Sequence, residues 1–230
     1  MNYAGSRPLA PARAQVSDAL WITYRWMTLG LATTGAVALV VASSPTLVAA
    51  LLGNHILFYA LLFGQLGLVV AFSAMATRVS TGVAALMFFA YAGLTGVTFS
   101  TLFLVYTASS IAATFFVTAG AFAGLSAVGL VTRRDLSAVG RFALFALIGI
   151  ILASIANFFL RSSGLEWLIT FAGVLIFAGL TAYDTQRLKN LFAQGGTNAN
   201  LPLVGALTLY LDFINMFLFL LRIFGGRRQS

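Results

Sequence analysis

Five carboxylates serve a chain of 230 residues, and two of them stand where water is scarce. Asp184 closes an apolar run in "GLTAYDTQRLKN" (179–190), and Asp212 lies inside "LYLDFINMFLFLL" (209–221). An ionised aspartate at the centre of a bilayer costs about 2.5–3.5 kcal/mol on insertion scales, so a chain that keeps one there is expected to use it for ion or proton handling. The remaining acids have structural placements. Asp18 precedes the first apolar segment, Asp135 follows Arg133 and Arg134 in a turn, and Glu166 opens the sixth segment, where water or a helix N-terminus accepts it.

Other chemistry is scarce. His55 is the single histidine, beside Asn54 at the start of the second segment; alone it supports neither a metal cluster nor a Ser-His-Asp arrangement, and it reads as an interfacial polar residue. Lys189, the single lysine, falls in a loop region rather than mid-helix, so a retinal Schiff base has no candidate residue. There is no cysteine, which excludes thiol chemistry and a disulfide framework.

The elements that carry these residues follow from composition. Sixty per cent of the chain is hydrophobic, 8% is charged, and the mean hydropathy is +0.99. Several windows of 18 or more residues carry no charge, long enough to cross a bilayer as helices. They neither alternate nor shorten to the roughly ten-residue strands of an outer-membrane barrel. The reading is an all-α membrane protein of seven transmembrane segments, near 26–42, 55–76, 83–106, 111–131, 142–160, 167–183 and 203–224, the sixth continuing as helix past Asp184. "TLVAALL" (46–52) links the first two. Residues 1–24 read as a flexible basic tail, 25–226 as the transmembrane domain, and 227–230 as a C-terminal tail. The net charge of +8 is divided among short loops and tails, as topology determinants are, and is not a nucleic-acid signature. The N-terminus has no apolar core of a cleaved signal peptide, so the first apolar run is read as a retained helix.

Loop arginines set the orientation. Arg7, Arg13 and Arg25, then Arg78, then Arg133, Arg134 and Arg141, then Arg187 and Lys189 cluster on one side, which places the N-terminus in the cytoplasm. An odd number of spans sends Arg222, Arg227 and Arg228 to the far side, against the same rule; either the upstream charges prevail or the last segment does not simply span. Gly120 and Gly124 form a GxxxG, and Gly93, Gly96 and Ser100 lie close together; both sets are expected at tight helix–helix contacts.

Counting residues brings the two aspartates together. They are 28 residues apart, and the intervening "FAQGGTNANLP" is centred near Asn198. With the sixth helix ending near Ala193 and the seventh starting near Leu203, each lies nine residues from the loop, a depth of about 13 Å at about 1.5 Å per residue. Two carboxyls at one depth on antiparallel neighbours can share a proton and act as a proton-sensitive latch. Asn215, one turn beyond Asp212, can hydrogen-bond on the same face. Arg187 at i+3 leaves a second reading open for Asp184, an exposed salt bridge at a helix end. Asp212 has no basic residue within a turn.

These residues also carry a resemblance. "AYDTQRLK", "LYLDFINMFLFLLRIFG" and, upstream, "AYAGLTGVTFS" resemble the Bax inhibitor-1/YccA family of transmembrane Bax-inhibitor-motif proteins, over nearly the whole chain from Trp26 to Gly225. The resemblance implies a seven-helix bundle with the last helix central and surrounded by the other six. It implies a pH-sensitive calcium leak controlled by an aspartate pair, which by motif match is Asp184 and Asp212. It also implies a helix-two arginine bonded to the pair when the latch is closed, for which Arg78 is the only candidate. Residence in the bacterial inner membrane follows.

The expected function is therefore a proton-gated cation pathway, with Ca²⁺ as permeant ion held transiently by the two carboxylates and with no resident cofactor or enzymatic activity. Two alternatives differ in class. One is a non-transporting modulator of a membrane-bound AAA protease, or a stress and cell-death regulator, with the N-terminal tail as its handle. The other is an intramembrane aspartyl protease. Against it, Leu209, Tyr210 and Leu211 stand before Asp212, where a glycine-rich context would let a substrate backbone approach.

Overall fold

The structure, a computed structural model, describes residues 10–195 and 198–226, with side chains from residue 14 onward. Nine helices are formed among the described residues: α1 (Ala10–Ala42), α2 (Pro45–Gly53), α3 (His55–Met75), α4 (Thr81–Phe99), α5 (Leu102–Val105), α6 (Ala108–Val131), α7 (Ser137–Leu160), α8 (Ser163–Ala193) and α9 (Leu201–Phe224). Seven stretches are long and apolar enough to cross a membrane, α4 and α5 counting as one span and α2 as none.

Side-chain caps set most of the starts. Ser44, Asn54, Ser80, Thr107 and Ser162 each accept a hydrogen bond from the backbone amide three residues on, opening α2, α3, α4, α6 and α8. Pro45 follows Ser44 at the first helical position, where its missing amide costs nothing. The expected apolar linker at 46–52 is therefore itself a short helix.

The first span begins earlier than the sequence reading has it. The chain is helical from Ala10, and Val16, Ala19, Leu20 and Tyr24 recur at helical spacing and pack against the core. That stretch of the expected flexible tail is an amphipathic helix, its charged face masking its buried stripe. Residues 1–9 and the C-terminal tail at 227–230 lie outside the described residues.

α9 is the axis of the bundle. Thirteen of its residues are buried, among them Leu209 and Tyr210 with no exposed surface. It packs chiefly against α8, α1, α6 and α4, whereas α3 lies outside on α4 and α7 outside on α8. The last helix is thus central, but four neighbours rather than six close directly around it. The outer faces carry Ile56, Phe63, Phe145 and Phe158, large apolar side chains suited to lipid.

In lipid the helices gain little from hydrophobic burial, so close backbone approach at small residues holds them together. At Gly129 a Cβ would collide with the carbonyl oxygen of Ala182 on α8, and at Gly140 it would lie 2.5 Å from the Tyr183 ring. A Cβ at Gly96 would likewise lie 2.7 Å from the Thr34 carbonyl oxygen. The GxxxG pair does not take part: a Cβ added at Gly120 or Gly124, as at Gly93, would meet no neighbouring helix among the described residues within 4 Å. The spacing is present, but that face of α6 points away from the bundle.

The α8–α9 loop is tied to the α3–α4 turn. Asn200, buried, donates from Nδ2 to the carbonyls of Ala76 (2.7 Å) and Val79 (2.8 Å) and accepts from Thr81 Oγ1 (2.7 Å). Asn198 Nδ2 donates to the Thr77 carbonyl at 2.8 Å. This defines a loop end of the bundle and, about 36 Å away along a 24-residue helix, an opposite end.

Candidate functional site

Antiparallel packing of α8 on α9 sets Asp184 against Asp212. α8 ends at Ala193 and α9 starts at Leu201, so Asp184 lies nine residues from the loop and Asp212 eleven. The carboxyls are direct neighbours. Both are buried, Asp184 at 8% exposure and Asp212 at 4%, and Asp212 Oδ2 is buried with no hydrogen-bond partner among the described residues. An oxygen left without a partner away from water is costly, and a proton on one of the two carboxyls removes that cost.

The pair opens onto a cavity of about 620 Å³ between α7, α8 and α9. Thr208, Asn215 and Phe219 line it from α9, Phe177 and Leu180 from α8, and Leu147, Ile150 and Ser154 from α7. The walls are mainly apolar, so the two carboxyls are the strongest polar groups in it. Asn215 reaches the cavity, but its Nδ2 donates to the Leu211 carbonyl at 2.8 Å, within its own helix.

The residues around Asp184 divide their work by helical angle. Successive positions on a helix point about 100° apart, so Asp184, Thr185 and Gln186 face three different neighbours, and all three are buried. Asp184 meets α9. Thr185 Oγ1 is 3.4 Å from Ser126 Oγ on α6 and 3.5 Å from the Tyr24 hydroxyl on α1. Gln186 Nε2 donates to the Arg134 carbonyl and its Oε1 accepts from the Leu136 amide, both at 2.9 Å, clasping the α6–α7 turn. Lys189 Nζ donates to the Leu130 carbonyl at the end of α6. Thr185 and Gln186 are not among the residues expected from the sequence; their signal is three consecutive polar residues, 184–186, at the end of an apolar span.

The basic candidates lie elsewhere. Arg187 is exposed and lines a separate polar cavity of about 280 Å³ with Asp135, Tyr183 and Gln186. It acts on Asp184 only through Coulomb attraction, so the buried Asp184 is not one half of an exposed salt bridge. Arg78 sits in the turn after α3, pinned beside Asn200. Asn200 precedes Asp212 by twelve residues, about 18 Å along the helix, and Arg78 does not reach the pair. Among the described residues no group of three or more His, Cys, Asp or Glu is assembled for a metal ion.

Comparison with known proteins follows the same lines. Residues 17–229 match the family model described as Inhibitor of apoptosis-promoting Bax1. The chain is 49% identical to Inner membrane protein YbhL of Escherichia coli (strain K12), over 99% of both chains. It is 45% identical to an uncharacterized protein of Deinococcus radiodurans, over 93% of this chain and 92% of the relative. A third relative, from Borreliella burgdorferi, is 43% identical over 89% of this chain and 90% of its own. With seven apolar spans, the last of them central, and similarity along its whole length, the chain belongs to the Bax inhibitor-1/YccA family and is a multi-pass inner membrane protein.

Proposed function

We propose that the chain forms a proton-sensitive cation pathway, with Ca²⁺ as the permeant ion, gated by Asp184 and Asp212. One observation carries the reading: two buried carboxyls in contact, one oxygen without a partner, on the wall of a cavity at membrane depth. Two carboxyls in contact and shielded from water titrate as one unit. A proton added to the unit removes charge that a cation needs as a ligand, and changes what holds α8 to α9. Among the described residues, no other buried pair of carboxyls is brought together inside the bundle.

The intramembrane protease reading is disfavoured by packing. Leu209 and Tyr210 have no exposed surface, and an extended substrate backbone needs open space beside the acid. A role as modulator of a membrane-bound AAA protease is compatible with ion movement and would use the N-terminal face.

The test is Ca²⁺ flux in proteoliposomes between about pH 6 and 8, comparing the wild type with Asp212→Asn. The amide keeps shape and polarity but cannot exchange the shared proton. Flux in the variant is expected to lose its pH dependence. Equal flux with equal pH dependence in the two proteins sinks the reading.

A further inference from the structure

Beyond the aspartate cavity, the same seam of the bundle holds a second polar space. Tyr106, Ser154, Asn157, Glu166, Thr170 and Arg222 line a cavity of about 470 Å³ at the opposite end, where α7 and α9 finish and α8 begins. Ser154 on α7 lines both this vestibule and the aspartate cavity. The two spaces therefore adjoin at Ser154, and on the α9 side the Phe219 ring lies between Asn215, which lines the aspartate cavity, and Arg222, which lines the vestibule.

On α9 the residues Asp212, Asn215, Phe219 and Arg222 follow one another at spacings of three, four and three, which puts them on one face of the helix. Asp212 and Arg222 are ten residues apart, about 15 Å along the axis, and Phe219 stands between them. Its ring fills the space a side chain at Gly173 would need, 2.6 Å from where a Cβ would sit. It stacks on Phe177 with centroids 6.0 Å apart and planes at 28°. The Arg222 guanidinium lies over it, 5.7 Å from the centroid. Phe219 lines the aspartate cavity while Arg222 lines the vestibule, so the cation caps the ring from the vestibule side.

We propose that Phe219, seated in the notch at Gly173 and capped by Arg222, is the barrier of a single water-filled route along the α7–α8–α9 seam, and that the Glu166/Arg222 vestibule is the mouth of that route at the opposite end. The inference rests on the reading of Asp184 and Asp212 as the inner site of a cation pathway, and extends it by assigning a second mouth and the side chain that closes it. An aromatic ring excludes a hydrated cation by refusing it ligands and water. A fixed guanidinium beside the ring adds like-charge repulsion. Swinging Arg222 toward Glu166 removes the cap and frees the ring to leave the notch.

The chain has no cysteine, so a single introduced thiol reports water access without background. Thr208→Cys places the reporter in the aspartate cavity and Ser154→Cys places it at the junction. A charged, membrane-impermeant methanethiosulfonate is applied to vesicles of each sidedness, with and without Phe219→Ala. With Phe219 present, the Thr208→Cys thiol is expected to react slowly from the vestibule side and the Ser154→Cys thiol readily. Phe219→Ala is expected to raise the Thr208→Cys rate from that side by about tenfold or more, because a thiol reacts only as far as the reagent reaches it. Arg222→Gln, an exposed change that leaves the ring in place, is expected to raise the same rate less.

An unchanged Thr208→Cys rate in both variants, or rapid labelling with Phe219 and Arg222 intact, overturns the proposal. Labelling distinguishes this failure from that of the gating reading. Loss of the barrier is read by thiol access whether or not Ca²⁺ is the permeant ion, whereas the aspartate reading stands or falls on the flux of Asp212→Asn.

Discussion

The hydroxyls of Tyr210 on α9 and Thr34 on α1 lie 2.6 Å apart in the middle of the bundle. Thr34 Oγ1 also faces the carbonyls of Ala92 (2.9 Å) and Gly30 (3.0 Å), which can only accept. Its one proton goes to them, and Tyr210 therefore donates to Thr34. The pair joins the central helix to α1 and α4 at the level where Phe88 and Tyr91 stack edge-on against the Tyr210 ring. Removing the donor and removing the acceptor then differ in cost. Tyr210→Phe deletes one interhelical hydrogen bond, worth about 0.6 kcal/mol in a membrane bundle. Thr34→Val takes away the acceptor 2.6 Å from the buried Tyr210 hydroxyl and leaves it only the Thr95 side chain, at about 1–3 kcal/mol. Thermal unfolding in detergent is expected to rank the proteins wild type, then Tyr210→Phe, then Thr34→Val. The reverse order of the two variants removes the assigned direction of the bond.

Two kinds of glycine in α6 separate a motif from a contact. Gly129 has no room for a methyl group, since Ala182 on α8 fills it, whereas Gly120 and Gly124 look out from the bundle. Gly129→Ala forces the two backbones apart and is expected to cost about 1–3 kcal/mol. Gly120→Ala and Gly124→Ala remove a flexible residue from a helix interior at no steric cost, and are expected to be neutral or to stabilise by about 0.5–1 kcal/mol. Melting temperatures of the three single variants decide the matter, and a destabilised Gly120→Ala would mean that this face of α6 packs against something outside the single chain.

Asn200 is the staple of the loop end. Its three side-chain hydrogen bonds reach Ala76, Val79 and Thr81, all in or beside the α3–α4 turn. Asn200→Ala strands two carbonyls in a buried place and is expected to cost about 1–3 kcal/mol. It also releases the segment that carries Arg78. Amide hydrogen exchange is therefore expected to rise locally at residues 76–80 and 198–202 before the helices themselves exchange. Uniform loss of protection across all helices counts against a local staple.

What the sequence discloses follows the physics of each feature. The seven spans are legible because a bilayer demands long uncharged runs, and the end of α8 at Ala193 with Asp184 nine residues inside it follows from counting. The meeting of Asp184 and Asp212 is legible for the same reason, although α9 starts at Leu201 and so sets Asp212 eleven residues from the loop where counting expects nine. The helical start at Ala10 is not, because Arg13, Asp18 and Arg25 mask the spacing of Val16, Ala19, Leu20 and Tyr24. Nor does spacing alone say which way a motif faces, and Gly120 and Gly124 fail on that point. Asn200 and Gln186 act through carbonyls of distant turns, which a linear chain does not announce. Phe219 at the notch of Gly173 needs two helices aligned before it has any meaning.

The turn before α7 gives a pH dependence whose sign can be worked out. Asp135 Oδ1 accepts from the Ser137 hydroxyl at 2.7 Å and from the Ser137 amide at 2.9 Å. The Ser137 hydroxyl first, then its amide, and the more distant charge of Arg141 hold the Asp135 carboxyl below its usual value. All three favour the ionised form. A carboxyl whose value falls on folding contributes stability that is complete above its unfolded value, about 3.9 for aspartate, and is lost as pH drops through the folded value. Ser137→Ala removes the first of these interactions, so the Asp135 titration followed by carboxyl NMR is expected to move back up toward the ordinary value. The start of α7 is then expected to exchange amide hydrogens faster above about pH 5, where the wild-type carboxylate is fully charged. As pH falls through the wild-type folded value the two proteins are expected to converge, because protonation of Asp135 weakens its hold on Ser137. A variant whose Asp135 titrates as in the wild type shows that the hydroxyl is not what holds the carboxyl down.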